Sequence, residues 1–396
     1  MLVAEEPPGA PREIAGHRTV SGAQASSRPN PIPARFVYGA DRDWQQQPYR
    51  LAAVLVEFRD VKHEDAHPPS FFDRLLFSRR QYLRTPSGEA SFGSVADWYG
   101  AQSQDRFVLT GKVFDWIGIN ETFESIHARK IRDAQERYLK VALAKIRERD
   151  GAHALDGFDG YLFIHAGPIT GPPGNIFWSH RASVEDKRYI TTGEIERIGV
   201  FCHEFGHVLG LPDLYGKKGI RESFGPWCAM ASGYRGTFPK SFCAWSKTRI
   251  GWCRTTVVDA TTPQSLVLRP IQTHPNDALI VPLNAIDAVG TEFLLLENRV
   301  AAGCDAEGQA GLFIWRIKRQ PDHSGFPVFE LTLTGPDGKS NGKNSGSRVA
   351  WPDGDSHDFT LAKQSDIQGI AIRNIRLEGD LICFELASGS RGSRGR

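Results

Sequence analysis

The sequence predicts an α/β (α+β) domain followed by an all-β, sandwich-like domain, because the hydrophobic pattern changes once along the chain. Between residues 51 and 209, short apolar runs typical of buried strands alternate with longer amphipathic stretches typical of helices. From about Thr256 onward, short alternating segments separated by turn-rich stretches replace the helical pattern. We therefore expect a twisted sheet that packs on helices, and then a β sandwich that packs against it.

Five segments predict the strands and helices of the first domain. Apolar runs at 51–58 and 160–167 predict buried strands. Between them, 107–116 alternates like a half-exposed pair of strands, and 125–149 predicts one long amphipathic helix. The last helix is predicted at 194–209, where apolar residues cover a broad surface. This order of strands and helices places the last helix under the sheet.

Seven short segments with alternating polarity predict the strands of the second domain. They lie at 265–270, 278–283, 291–299, 311–318, 328–334, 369–377 and 380–386. Turn residues such as those at 335–338 separate them, and no repeat of fixed period is present. The expected boundaries are a disordered leader at 1–35, the first domain at 36–255, the β-rich domain at 256–387 and a disordered tail at 388–396.

Composition and charge exclude several classes of protein. With 396 residues, the chain is long enough for two domains with substantial cores. The net charge is only +2 and no basic stripe is interleaved with aromatic residues, so we expect no nucleic-acid partner. No apolar stretch approaches the ~20 residues that span a bilayer. Residues 1–33 lack the cationic and apolar regions of a secretory signal.

The cysteines favour neither a zinc ribbon nor a redox motif, because no CxxC occurs. Four of the six fall within a short window, a spacing compatible with one or two disulfides. Cys202 neighbours a histidine but points about 100° away from it on a helix, so a buried apolar role is favoured. The six residues are Cys202, Cys228, Cys243, Cys253, Cys304 and Cys383.

The segment 203–215, HEFGHVLGLPDLY, carries the strongest chemical signal in the chain. Residues four apart lie on one face of a helix, so His203 and His207 are predicted to direct two imidazoles at one metal ion. Glu204 is one position round the helix, where its carboxylate is placed to hold a metal-bound water rather than to bind the metal. A buried helix with these polar groups is costly unless a partner such as a metal satisfies them.

The residues that follow supply a third ligand. Gly210 permits the left-handed turn that ends helices. Pro212 prevents the helix from restarting, and the chain folds back to deliver Asp213 to the metal. This arrangement predicts a zinc hydrolase in which Glu204 accepts a proton from the bound water. Core histidines bonded to backbone carbonyls are the alternative interpretation of the motif.

The chain resembles the immune inhibitor A family of secreted zinc metallopeptidases, relatives of the metzincins. The resemblance spans roughly residues 50 to 386 and is not confined to the HExxH segment. The further similar segments are 55–60 (LVEFRD), 93–99 (GSVADWY), 163–167 (FIHAG), 178–180 (WSH), 227–233 (WCAMASG), 244–247 (AWSK), 251–252 (GW) and 296–299 (LENR).

The resemblance implies a metzincin-like zinc peptidase domain and a role for each matching residue. His203, His207 and Asp213 match the zinc ligands, with Asp213 in place of the third histidine of most metzincins. Glu204 matches the general base, and Met230 matches the methionine turn beneath the zinc. The implied activity is zinc-dependent endopeptidase cleavage of protein or peptide substrates by a secreted protein, which we expect to be a monomer.

Three residues depart from the family pattern. Cys228 stands where the family usually has an aspartate in its Trp-Asp-x-Met pattern. Arg316 and Lys318 stand where many members have histidine and aspartate. Neither departure affects the metal triad, but both weaken inferences about accessory ion sites or contacts between domains.

Further side chains are candidates for the site. Tyr234 and Tyr215 are candidate hydroxyl donors near the zinc, with ordinary packing as the alternative for each. His165 and His180 are candidates to line the cleft, although structural roles are favoured. The acidic loop 353–358 (DGDSHD) is a candidate Ca²⁺ site that lacks the full EF-hand spacing, so a solvated turn is favoured.

Two rival functions use the same residues. The first is a catalytically idle zinc protein that acts as a binding module through its β domain. Glu204 argues against it, because structural zinc sites are usually closed by four protein ligands and need no base. The second is a hydrolase of another bond, such as an amide in a cell-wall peptide.

Overall fold

The structure is a computed structural model, and it describes most of the chain between residues 45 and 388. The described residues are 16, 18–20, 23–26, 32, 45–169, 175–177, 180–214, 225–274, 276–283, 292–308, 310–321, 327–333, 359–360 and 370–388. The predicted tail at 388–396, apart from Ser388, and the acidic loop 353–358 lie outside them. Within this part of the chain, no helix is long and apolar enough to cross a membrane.

Fifteen strands occur among the described residues, in three five-stranded sheets. In chain order they are β1 (Arg18–Thr19), β2 (Tyr49–Glu57), β3 (Leu109–Gly118), β4 (Gly160–His165), β5 (His180–Val184), β6 (Lys187–Gly193), β7 (Thr255–Val257), β8 (Gln264–Leu268), β9 (Ala278–Pro282), β10 (Glu292–Arg299), β11 (Gly311–Pro321), β12 (Pro327–Leu333), β13 (Phe359–Thr360), β14 (Ile370–Glu378) and β15 (Leu381–Ser388).

The α-helices that the structure describes all lie before β7. They are α1 (Pro69–Phe77), α2 (Val95–Ser103), α3 (Phe123–His127), α4 (Ile131–Ala134), α5 (Lys140–Asp150), α6 (Ile198–Val208) and α7 (Ala244–Arg249). A π-helical turn, Gln135–Leu139, joins α4 to α5. After β7, the described residues contain strands and one 3₁₀ turn, Gly303–Asp305, which agrees with the strand pattern predicted from Thr256 onward.

The first sheet has the order β3–β2–β4–β6–β5, and only the β5–β6 pair is antiparallel. Its two faces are both apolar, as parallel strands covered on both sides require. From β2, Leu51, Ala53 and Leu55 pack in the core that contains α1, α2 and α6. Ala52 and Val54 pack on the opposite face with α5. The sheet therefore lies between two layers of helices, and α6 belongs to the layer that also contains α1 and α2.

Two predicted segments of the first domain differ from the structure. The helix predicted at 125–149 is interrupted, because Lys130 has extended backbone (φ −67°, ψ 148°) between α3 and α4. The apolar spacing continues across this break, so the pattern alone does not reveal it. The segment predicted as a strand pair at 107–116 is the single strand β3, which pairs in parallel with β2.

The last predicted helix also begins later than expected. The apolar pattern predicts a start at Glu194, but α6 begins at Ile198 after extended backbone at Arg197. The Glu194 carboxylate instead accepts hydrogen bonds from the backbone N–H groups of Gly167 (2.8 Å) and Glu64 (3.1 Å). This buried carboxylate links the loops that follow β2 and β4, so it serves tertiary structure rather than the helix.

The other two sheets share a core. Their orders are β12–β11–β10–β9–β7 and β1–β8–β15–β14–β13. Leu294 and Leu296 of β10 lie in this core, whereas Phe293 and Leu295 point the other way, into the core that contains α6 and α7. The sheet with β10 at its centre is therefore covered by the third sheet on one face and by helices on the other.

Part of the predicted leader is ordered, contrary to the expectation for 1–35. β1 pairs in parallel with β8, and Val20 is buried in the core of the two sheets. Ala25 forms an isolated bridge with Val258. The backbone of an edge strand offers unpaired hydrogen-bonding groups, which explains how a polar, proline-rich stretch adds to the sheet.

Candidate metal centre

Helix α6 places the first two predicted ligands in the interior of the protein. His203, Glu204 and His207 all lie on it and are buried, with 2%, 6% and 8% of their surface exposed. The apolar side of α6, which includes Phe201 and Phe205, packs in the core beneath the first sheet. That packing holds the helix in place, so its polar residues project from a fixed backbone.

The turn after α6 returns the chain to the helix end. Gly210 has φ +97°, a conformation that glycine adopts readily and other residues rarely do. The N–H of Leu211 donates to the carbonyl of Gly206 (3.0 Å), which closes the helix C-terminus as in a Schellman turn. Asp213 is thereby brought opposite the two histidines, as the Gly-Pro spacing predicts.

Three potential ligand atoms converge at this point. Oδ1 of Asp213 lies 3.1 Å from Nε2 of His203 and 3.2 Å from Nε2 of His207. Among the described residues, these three form the one group of histidine, cysteine and acidic side chains whose ligand atoms all lie within 4.8 Å of one another. Two imidazole nitrogens and one carboxylate oxygen are a donor set that suits zinc with a fourth position open. The residues present therefore fit a catalytic type of zinc site.

Backbone carbonyls fix the orientation of both imidazoles. Nδ1 of His203 lies 2.8 Å from the carbonyl oxygen of Ala229, and Nδ1 of His207 lies 2.7 Å from that of Leu211. Because a carbonyl can only accept, each Nδ1 carries the proton and donates it. Each Nε2 is thereby turned toward Asp213 with its lone pair available to a metal, an arrangement typical of metal-bound histidine.

The charges within this group reinforce each other. Burial raises the pKa of Asp213, but the hydrogen bonds that His203 and His207 donate from Nε2 when they are protonated outweigh it and hold that pKa well below its usual range. Burial lowers the pKa of His203, but the hydrogen bond to Asp213 and the nearby charge of Glu204 leave it raised. Negative charge thus accumulates around the two imidazoles, which favours a bound cation.

Met230 and Tyr234 lie beside the three potential ligands. A Cβ atom added at Gly206 would lie 2.5 Å from Sδ of Met230, so this methionine packs directly on the last turn of α6. The Met230 carbonyl accepts the N–H of Leu214 (2.7 Å), next to Asp213. The ring centroid of Tyr234 is 4.6 Å from that of His203. The structure therefore brings both residues to the site region.

Other candidates lie elsewhere or outside the described residues. His165 is fully buried among aromatic rings, including Phe177 at 4.7 Å, and burial lowers its pKa to about 4. Cys202 packs in the core, as expected. Tyr215 and the side chain of His180 lie outside the described residues.

Two of the residues that depart from the family pattern, Cys228 and Arg316, have side chains that the structure describes. Sγ of Cys228 accepts the backbone N–H of Cys243 (3.4 Å), a bond that an aspartate oxygen would also be able to accept. Burial alone raises the pKa of Cys228, but hydrogen bonding from Cys243 and the charge of Arg299 lower it to about 7. Arg316 pairs with Glu292 on the neighbouring strand. All six cysteines are buried free thiols, so the spacing-based disulfides are not present.

Several residues that shape this site carry no signal in the sequence. The Ala229 and Leu211 carbonyls orient the histidines through backbone atoms that any residue has. Glu297 and Arg299 reach the same region from β10, and only the similarity of the segment LENR to the family singles them out.

Comparison with known proteins finds similar sequences. Residues 148–255 match the sequence model described as immune inhibitor A peptidase M6, catalytic domain. The chain is 23% identical to the pre-pro-metalloprotease PrtV of Vibrio cholerae serotype O1 (strain M66-2), over 51% of this chain and 30% of that protein. It is 24% identical to immune inhibitor A of Bacillus thuringiensis subsp. alesti, over 50% of this chain and 39% of that protein.

The matched region is thus about a third of the length of these relatives. The match to the family model, residues 148–255, includes α6, the turn that follows and the segment with Met230 and Tyr234. A metallopeptidase family implies a metal cofactor, and the cluster of His203, His207 and Asp213 is a donor set for one. The resemblance drawn from the residues is confirmed, because the family model and both relatives place the similarity of this chain with immune inhibitor A metallopeptidases.

Proposed function

We propose that the protein is a zinc-dependent endopeptidase whose metal is held by His203, His207 and Asp213. One observation carries the proposal: three ligand atoms of the right chemistry lie within 4.8 Å of one another beside a buried glutamate. Both imidazoles are oriented from behind by carbonyls, which is the support that metal-binding histidines generally have. The three ligands leave one position open, which a structural zinc site would not.

When bound, zinc supplies an electrophile that activates water and polarises the scissile carbonyl. Glu204 accepts the proton of the attacking water and passes it to the departing amine. Its position one residue after His203 keeps the carboxylate near the ligands without occupying their place. Because Glu204 is buried, bulk water is kept away from the proton that its carboxylate transfers.

Tyr234 is the proposed hydroxyl donor to the oxyanion that forms on the scissile carbonyl. Its ring lies against His203, with centroids 4.6 Å apart, so its side chain is adjacent to the first proposed ligand. A donor directed at the developing negative charge stabilises the transition state more than the substrate. Met230 has a different role, since it packs against Gly206 of α6 and supports the helix that carries two of the ligands.

The remaining parts of the proposal rest on the family. The named relatives include a metalloprotease, which favours protein or peptide substrates for this chain as well. We extend the proposal to a secreted, monomeric enzyme with no nucleic-acid partner. Ca²⁺ binding by the loop 353–358 stays a prediction from the sequence, because that loop lies outside the described residues.

Glu204→Gln tests the mechanism. The variant should retain one zinc per chain and the fold, because glutamine has the same shape and Glu204 is not a ligand. Turnover of an unfolded protein substrate should fall about 10³-fold, since proton transfer is lost. Glu196→Gln, the same substitution just before α6, is the matched control and should cleave like the wild type. A chelator should abolish wild-type cleavage, and added zinc should restore it.

The outcomes separate the candidate functions. Equal cleavage by Glu204→Gln and the wild type contradicts the proposed base. If neither protein cleaves any peptide bond while both bind zinc, the binding-module function replaces the peptidase. Cleavage of cell-wall peptides alone, with protein substrates left intact, identifies a hydrolase of another amide bond.

A further inference from the structure

A buried ion pair on β10 lies at the contact between the sheets and the helices. Glu297 and Arg299 have 0% and 2% of their surface exposed. Oε1 of Glu297 accepts hydrogen bonds from Nε (3.1 Å) and Nη2 (2.9 Å) of Arg299. It also accepts one from Nε1 of Trp315 (2.6 Å). A carboxylate with this many donors is well satisfied, as a buried charge requires.

Each member of the pair also binds backbone outside the sheets. Oε2 of Glu297 accepts the N–H of Ala244, the first residue of α7 (2.7 Å). Nη1 of Arg299 donates to the carbonyl of Trp227. The pair therefore fixes both ends of the segment 227–244 to one strand.

That segment carries three elements of the metal centre. The Ala229 carbonyl orients His203, and it lies two residues from the carbonyl that Arg299 binds. Met230 packs on α6 at Gly206. Tyr234 lies against His203. A shift at Trp227 would move all of these, because they follow it within seven residues and the stretch 228–231 is fully buried.

We propose that Arg299 and Glu297 are positioning residues for the metal centre, holding the segment 227–244 so that the Ala229 carbonyl keeps Nε2 of His203 directed at the metal. This inference rests on the metal site of the proposed function. The planar guanidinium suits the task, because it binds Glu297 and the Trp227 carbonyl at the same time in a fixed geometry. The rings of Phe313 and Trp315, 5.1 and 5.8 Å from the guanidinium carbon, limit its movement.

The test measures zinc affinity in Arg299→Gln by competition with a chromophoric chelator. Loss of a residue that supports a ligand from outside the metal shell typically weakens metal binding about 10–100-fold, and we expect a loss in that range. Visible absorption after replacement of zinc by Co²⁺ should also change, because the spectrum reports ligand geometry. Neither measurement requires peptidase activity.

Arg269→Gln is the matched control. Arg269 pairs with the buried carboxylate of Asp277 (2.7 and 2.8 Å), so the control breaks another arginine–carboxylate pair of the β-rich part, one whose arginine is less buried than Arg299. It should lower the melting temperature yet keep wild-type zinc affinity and the wild-type Co²⁺ spectrum. All affinities are measured well below the melting temperature of each variant.

Arg299→Lys keeps the inference testable if the glutamine variant does not fold. Lysine retains the charge beside Glu297 but cannot reproduce the fork that also reaches the Trp227 carbonyl, so zinc affinity should still fall measurably below that of Arg269→Gln. Zinc affinity and Co²⁺ spectra equal to the control in every Arg299 variant that folds would overturn the inference. Failure of the wild type to bind zinc would instead overturn the proposed function.

Discussion

Gly206, in the last turn of α6, permits a sharp test of how Met230 supports the metal centre. Alanine at an open helical position stabilises a protein by about 0.5–1 kcal/mol relative to glycine. At Gly206 the added Cβ would lie 2.5 Å from Sδ and 3.3 Å from Cε of Met230, and 3.4 Å from Phe242. Overpacking of this kind costs about 1–3 kcal/mol. We therefore expect Gly206→Ala to destabilise the protein by about 0–2.5 kcal/mol, where helix propensity alone predicts stabilisation.

Met230→Ala supplies the second arm of a double-mutant cycle. Alone it should cost about 2–5 kcal/mol, because it opens a cavity in a fully buried position. The methyl group that Gly206→Ala adds would enter this cavity, so the double variant should cost less than the sum of the two changes. The coupling should be about 1–2 kcal/mol, within the range for residues in direct contact.

The free energy of unfolding of each variant is measured by urea denaturation of the metal-free protein, with a chelator present. Gly100→Ala in α2 is the control, since its Cβ would meet the end of the Asp105 side chain at 2.8 Å, and that carboxylate is able to turn away. Two results would refute the reasoning. One is strict additivity of Gly206→Ala and Met230→Ala, and the other is a Gly206→Ala variant stabilised as at an open helical site.

Further predictions concern the ligands and the thiols. His203→Ala should lose zinc on dialysis, and retention of stoichiometric zinc would mean that another residue is the first ligand. Asp213→Ala should bind zinc far more weakly while its circular dichroism stays nearly unchanged, because the side chain is partly exposed and lies outside the core; full affinity with only a loss of stability would assign Asp213 a structural role. Because all six cysteines are buried free thiols, a small thiol reagent should label the native protein slowly and label six thiols after denaturation. Fewer than six would reveal a disulfide.

Much of the fold follows from local pattern, and the exceptions have physical causes. The predicted strand at 160–167 corresponds to β4, because a fully buried parallel strand must be apolar on both faces. The helix predicted at 125–149 is broken, since Lys130 leaves the helical region without any change in apolar spacing. Glu194 precedes α6 because its carboxylate binds the backbone of two loops, a tertiary contact that no local pattern reports.

The candidate site shows the same division. Helical spacing predicts that His203 and His207 share a face, and the glycine turn predicts the return of Asp213; the structure brings the three together. The orienting carbonyl of Ala229 is not predictable, because a backbone acceptor leaves no trace in residue type. Arg299 is distant in sequence from the histidines, so its link to the Trp227 carbonyl emerges only from the fold.

The boundary expected near residue 255 marks a change of periodicity rather than a gap in packing. β10 is the middle strand of its sheet, and its residues are buried on both faces. Phe293 and Leu295 lie in the same core as α6, while Leu294 and Leu296 lie in the core between the two β-rich sheets. A central strand packed on both faces is among the least mobile parts of a protein. The segment 227–244, which orients His203, is therefore bound to a rigid strand of the β-rich part. The proposed metal centre thus depends on residues from both halves of the chain.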